Sequence, residues 1–180
     1  YEDRDAVEEI VKNNLYGTDI DDRAAQLAYF AIMMKARSYD RRFLSREIAP
    51  NVLAILESNL IKDSTLVSIK DPEQRQVGLY LKDRFLDAKE IGSLVSVDTK
   101  DYASFENYLI TNTGATLDFI TDKDVLLPLA KQAFILSKKY AVVCTNPPYM
   151  NKFDDKLKEF TSLYFFRLVN MLKKGDIAVT

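Results

Sequence analysis

Histidine is missing from this chain altogether, and cysteine occurs once, at Cys144. A single cysteine excludes an internal disulfide, and with no histidine beside it almost no zinc-site chemistry remains, so no metal centre is expected. Both absences fit a reducing cytoplasm. No apolar run approaches the roughly 18 residues of a membrane helix, and the opening Tyr1-Glu2-Asp3-Arg4-Asp5 is charged rather than signal-like. Basic residues are not in surplus either: 25 Lys and Arg against 27 Asp and Glu leave a net charge of −2. Phosphate contacts ordinarily come from a basic face, so the chain alone is expected to bind nucleic acid poorly. An initiator methionine is also lacking. The chain opens on Tyr1 and closes on Ile177-Ala178-Val179-Thr180, an apolar strand cut short, and both ends are expected to be internal to a larger protein.

What is present is material for a core: 47% of the 180 residues are hydrophobic, enough for one compact domain. Ala6, Val7, Ile10 and Val11 recur at i, i+1, i+4 and i+5, which predicts a helix over 1–13 with one buried stripe. Leu15 to Ile20 is a short apolar run closing in acid, read as a strand. Asp21 and Asp22 then suit the N-cap of a second helix over 22–38, rich in Ala, Leu, Met and Lys and expected to be buried on much of its circumference.

From 40 to 138 the pattern is mainly helical, broken at Pro50, Asp71-Pro72, Gly78, Gly92, Gly114 and Pro128. Helices are expected over 51–60, 74–89, 101–112 and 122–138, with 61–70 and 93–98 open between strand and loop. Tyr140 to Thr145 is a β-rich apolar run of the kind buried on both faces of a parallel sheet. A helix over 160–172 and a turn at Gly175-Asp176 precede a final strand over 177–180. Apolar strands separated by helices predict an α/β fold with a parallel sheet. The expected organisation is one domain: helix, strand and helix over 1–39, a mainly helical insertion over 40–138, and strand, turn, helix and strand over 139–180.

Ligands of such sheets sit beyond the carboxyl ends of the strands, which directs attention to Asp19 and Asn146. A carboxylate at the tip of the strand would accept hydrogen bonds from ribose hydroxyls, with Ile20 against an adenine ring; equally, Asp19, Asp21 and Asp22 could be loop and capping acids. Asn146-Pro147-Pro148-Tyr149 follows directly on the second apolar run. The exocyclic amine of adenine is a poor nucleophile because its lone pair is delocalised into the ring. If the Asn146 side-chain oxygen and the Pro147 carbonyl each accept one N–H, that lone pair is localised towards an incoming methyl group. The paired prolines stiffen the turn and aim its carbonyl, and Tyr149 offers a face on which a flipped-out base can stack. The bland alternative is a turn that merely closes a strand.

These residues resemble the adenine-class amino-methyltransferases, in which Asn-Pro-Pro-Tyr follows the fourth strand. More narrowly, the stretch Asn14 to Phe30 and the later Cys144 to Lys152 resemble the large methyltransferases of bacteriophage-exclusion (BREX) phage-defence systems, and the resemblance covers nearly the whole chain. It implies a partial Rossmann-like core using S-adenosylmethionine. Asp19 and Ile20 would bind the cofactor, and Asn146, Pro147, Pro148 and Tyr149 would act at the target adenine. The implied partners are double-stranded DNA, engaged largely through regions outside this chain, and other phage-defence proteins; no membrane is implied. The resemblance also implies a glycine-rich cofactor loop just before residue 1 and a third-strand cofactor residue between Asp19 and Asn146, for which Asp87 and Ser93 are candidates.

Cys144 is read as a strand core residue, since a covalent cytosine methyltransferase places proline immediately before its cysteine and here Val143 precedes it. Phe160, Tyr164, Phe165 and Phe166 are read as helix packing, and Lys152 as a candidate phosphate contact. Two rivals stand beside DNA adenine methylation in restriction-modification or phage defence. One is methylation of a protein glutamine, whose amide poses the same lone-pair problem; the 127-residue interval between Asp19 and Asn146 is long for a compact enzyme of that kind. The other is a catalytically inactive scaffold module of a phage-defence complex.

Overall fold

The computed structural model describes residues 3–112, 117–145, 159, 162, 163, 166 and 170–179. The chain divides into two compact units, residues 1–57 and 58–180, where the sequence pattern predicts one body.

The first unit opens with α1 (Asp3–Glu9), which widens into a π-helical turn over Ile10–Asn14, closed by the Leu15 N–H donating to the Ile10 carbonyl at 3.1 Å. β1 (Tyr16–Asp19) follows, then α2 (Asp22–Tyr39), a 3₁₀ turn over Phe43–Ser45, and β2 (Asn51–Ala54). β2 pairs with β1 in parallel, from Tyr16 opposite Asn51 to Asp19 opposite Ala54, so β1, α2 and β2 form a strand–helix–strand crossover. The Asn51 side-chain amide anchors the start of β2 by donating to the Lys12 carbonyl at 2.8 Å. Val11, Ala36, Phe43 and Ile48 make a small core, with Val7, Ile32 and Met33 packed against it.

Two expectations change here. Residues 51–60, read as a helix, begin as β2: the run Val52-Leu53-Ala54-Ile55 is uniformly apolar, which suits a helix or a buried strand equally, and pairing with β1 decides it. And α2 is not buried around its circumference. It buries Ala25 and Ala36, whereas Leu27 and Phe30 are 68% and 60% exposed, because a two-stranded pair and one short helix cover a single face of it.

The second unit holds α3 (Asp63–Ser68), α4 (Pro72–Arg84), the short α5 (Ala88–Ile91), α6 (Tyr102–Thr111) and α7 (Leu117–Ser137). Its core includes Leu66, Leu81, Phe85, Phe105, Leu109 and Leu129, all fully buried. α6 and α7 pack along each other, α4 on α6, and α3 on α7. Asp71, with Pro72 at the first helical position, caps α4 by accepting from the Glu73 and Gln74 N–H groups; Asp101 caps α6 through Ser104. Gly78 sits where α4 is crossed, with a β-carbon there due to meet Leu66 at 3.0 Å and Ile69 at 3.4 Å.

The helix α3 occupies the stretch 61–70 that was open between strand and loop. Its N-terminus lacks a cap of its own, and the cap comes from α7 instead. The buried Asp122 carboxylate accepts from the Lys62 N–H at 2.9 Å and the Thr65 hydroxyl at 2.6 Å, while Asp118 accepts from Lys62 Nζ at 2.5 Å and the Ser64 hydroxyl at 3.1 Å. Within 93–98, residues 93 and 94 close a 3₁₀ turn over Gly92–Leu94 and 95–98 are irregular.

β3 (Tyr140–Cys144) and β4 (Leu172–Val179) close the unit as a second parallel pair. The expected turn at Gly175-Asp176 lies inside β4: its register slips between Tyr140 opposite Leu172 and Val142 opposite Ile177, so that stretch bulges instead of ending the strand. Nor is β3 buried on both faces. Val142 is 59% exposed and Cys144 is exposed, which corrects its reading as a core residue; β3 belongs to a two-stranded sheet that leaves its faces open. Ser162, Leu163, Phe166, Asn170 and Met171 are helical as expected, as is Glu159 just before the expected start, whereas Leu172 belongs to β4; Phe166 is exposed rather than packed, and Phe160, Tyr164 and Phe165 lie outside the described residues. No helix among the described residues is long and apolar enough to cross a membrane.

Candidate functional site

The parallel pairing of β1 and β2 brings two strand ends side by side, joined by the Ile55 N–H donating to the Asp19 carbonyl at 2.7 Å. Asp19 is the last residue of β1 and is exposed. Its Oδ1 accepts from the Asp21 N–H at 2.9 Å, a local turn that fixes the carboxylate at the strand tip, while no partner engages Oδ2 among the described residues. Asp21 in turn caps α2, accepting from the Arg23 N–H at 2.7 Å, as its position predicts. Ile20 is half exposed beside them. The two acids therefore play different parts. Asp21 caps the helix, and Asp19 keeps one oxygen available at the carboxyl end of a parallel strand, where ligands of such sheets bind.

A groove of about 460 Å³ lies between α2 and β2, lined by Asp22, Gln26 and Tyr29 from the helix and Val52 to Ala54 from the strand; Asp19 is not among its lining residues. The volume lies within the range of small-ligand sites.

Asn146, Pro147, Pro148, Tyr149 and Lys152 lie outside the described residues, and β3 leads directly to them through Cys144 and Thr145. Asp87 is not at a strand end. It adopts a left-handed conformation before α5 and is clasped to Asn59, whose amide donates to Asp87 Oδ1 at 2.6 Å and whose side-chain oxygen accepts the Asp87 N–H at 3.0 Å. The strand beside β1 is β2, so the residues at its carboxyl end are Ile55, Leu56 and Glu57. They were missed because 51–60 reads as helical; the β-branched Val52 and Ile55 within a short apolar run were the available signal.

Displaced titrations mark other places. Hydrogen bonds to Lys62 and Ser64 hold Asp118 below the ordinary aspartate range, and those to Ser104 do the same for Asp101. The bond to Asp118 raises Lys62, and burial raises the Tyr102 phenol. All four belong to helix caps and core of the second unit.

A sequence model of the Eco57I restriction-modification methylases matches residues 13–174, a span containing both Asp19 and the Asn146 turn. The adenine-specific methyltransferase BrxX of Escherichia coli O9:H4 (strain HS) is 32% identical over 194 residues, covering 92% of this chain and 16% of its own length. The adenine-specific methyltransferase PglX of Lacticaseibacillus casei (strain Zhang) is 33% identical over 178 residues, covering 92% of this chain and 15% of its own. The chain therefore spans about a sixth of the length of these relatives.

Proposed function

Because the chain belongs to the Eco57I restriction-modification methylase family, we propose that it forms part of the catalytic domain of a DNA adenine-N6 methyltransferase. In this reading the two parallel strand pairs contribute to a Rossmann-like core, with the helices between β2 and β3 as an insertion. The observation that carries the proposal is the exposed Asp19 carboxylate at the tip of β1, with Oδ2 available, in a chain matched to the family through the Asn146 turn.

S-adenosylmethionine, when bound, supplies an electrophilic methyl group. Asp19 would hold the cofactor by accepting hydrogen bonds from its ribose hydroxyls, and Ile20 would flank its adenine ring. Asn146 and the Pro147 carbonyl accept the two N–H bonds of the target amine, localising its lone pair, while Pro148 stiffens the turn and Tyr149 stacks on the extruded base. Asn146 is neutral and no strong base. The part of these residues would therefore be to orient the amine rather than to deprotonate it, and the acceleration would come from that orientation. The adenine specificity in the names of both relatives favours this reading over methylation of a protein glutamine.

Titration of S-adenosylmethionine into the full-length protein by calorimetry tests the cofactor half. Asp19→Ala is expected to weaken binding about 10–100-fold, the equivalent of one or two charge-assisted hydrogen bonds. Asn146→Ala is expected to leave cofactor binding intact and to lower kcat for adenine methylation by about 100-fold or more. A wild-type protein that binds no S-adenosylmethionine would sink the reading.

A further inference from the structure

In a chain of net charge −2, positive charge collects at one place: residues 35–46 contain Lys35, Arg37, Arg41, Arg42 and Arg46 against a single acid, Asp40. That acid is already engaged. Asp40 is buried, its Oδ2 lies 2.9 Å from the Arg46 guanidinium, and its Oδ1 accepts the Arg42 N–H at 3.0 Å. Arg46 also bonds to Glu8 at 2.9 Å. Lys35, Arg37, Arg41 and Arg42 are exposed, and none has a carboxylate partner among the described residues.

A helix C-terminus attracts cations, but its dipole amounts to about half a negative charge, and four unpaired cations far exceed what it can balance. The turn that carries them is also fixed. The fully buried Phe43 anchors it, Asp40 and Arg46 brace it from inside, and the Ser45 hydroxyl donates to the Arg42 carbonyl at 2.8 Å. Arg41 and Arg42 thus stand on a rigid turn, beside a half-exposed Tyr39 ring that holds Lys35 Nζ 5.2 Å from its centre.

We propose that Arg41 and Arg42, on the turn that follows α2, form a contact surface for the phosphate backbone of duplex DNA. Both are arginines, whose planar fork matches phosphate oxygens with two parallel hydrogen bonds. The surface is separate from the cofactor end of the unit: α2 runs about 27 Å from Asp22, next to Asp19, to Tyr39. Phosphates held here flank the reacting base instead of surrounding it, and they supply affinity without sequence information. The choice of DNA as the polyanion rests on the methyltransferase reading.

The test uses the full-length protein and a duplex of arbitrary sequence, with fluorescence anisotropy at several salt concentrations. Replacing Arg41 and Arg42 together by Gln is expected to reduce the slope of log affinity against log salt by about 2, close to 0.9 for each lost phosphate contact. The charge-preserving Arg41→Lys, Arg42→Lys pair is expected to keep the slope. Calorimetric titration with S-adenosylmethionine reports separately that the variant is folded. An unchanged slope in the Gln pair, or a wild-type protein without affinity for duplex, overturns the surface. Absence of cofactor binding by the wild type would instead overturn the methyltransferase reading, and the slope comparison would stand without it.

Discussion

At the scale of single residues, the acids of this chain divide by how much backbone they hold. Asp122 is the extreme case: a buried carboxylate on α7 accepts the Lys62 N–H and the Thr65 hydroxyl at the start of α3. Asp122→Ala leaves both donors without an acceptor, and we expect a loss of about 2–3 kcal/mol, measured from urea midpoints. The exposed caps act through pH. A carboxylate whose folded pKa is depressed stabilises above its unfolded pKa and loses that contribution as pH falls through the folded value. Asp101 and Asp118 should therefore lower the melting temperature below about pH 4. Lys62 and Tyr102 are raised, so their contributions are complete below about pH 10 and fade above it. Thermal melts across pH check both limbs, and Asp118→Asn should flatten the acid limb; an unaltered acid limb would remove Asp118 from the account. The cap of Asp21 was legible because it is local. The service of Asp122 to α3 was not, since the two are neighbours only after α3 and α7 pack.

The same division between local and non-local signal governs the elements. α2 and α6 were readable from capping acids and helix formers, and β1 from an apolar run closing in Asp19; α7 was read only from Asp122, although it begins at Leu117 and runs through Pro128, which was taken for a break. β2 was not, because a four-residue strand carries no periodicity of its own and exists through its pairing with β1. Ile55, Leu56 and Glu57 follow the strand paired with β1, whereas Asp87 is held by Asn59 at the start of α5. Gly78 looked like punctuation and is instead a helical glycine chosen for the closeness of its neighbours. Alanine there would gain helix propensity of about 1 kcal/mol and lose much of it against Leu66 at 3.0 Å. Valine has no such balance: Gly78→Val is expected to destabilise by about 1–3 kcal/mol through overpacking, read as a lower urea midpoint with the same slope.

For the molecule as a whole, the parallel pairing of strands and the helical middle were legible, whereas the division at residue 57 was not, since core size depends on which helices pack together. Among the described residues the first unit buries six apolar side chains, Val11, Ala25, Ala36, Phe43, Ile48 and Ile55, a smaller core than that of the second unit. Hydrogen exchange followed by mass spectrometry should show β1, α2 and β2 opening at lower free energy than α4, α6 and α7. Equal protection would mean that the two units open together. The order of the strands along the chain has a further consequence for synthesis. β1, α2 and β2 are complete by residue 54, whereas the partner of β3, β4, ends at Val179. At a ribosomal rate of about 5–20 residues per second, the first crossover is complete on the order of ten seconds before the second pair, and its Leu27 and Phe30 are exposed both before and after that interval.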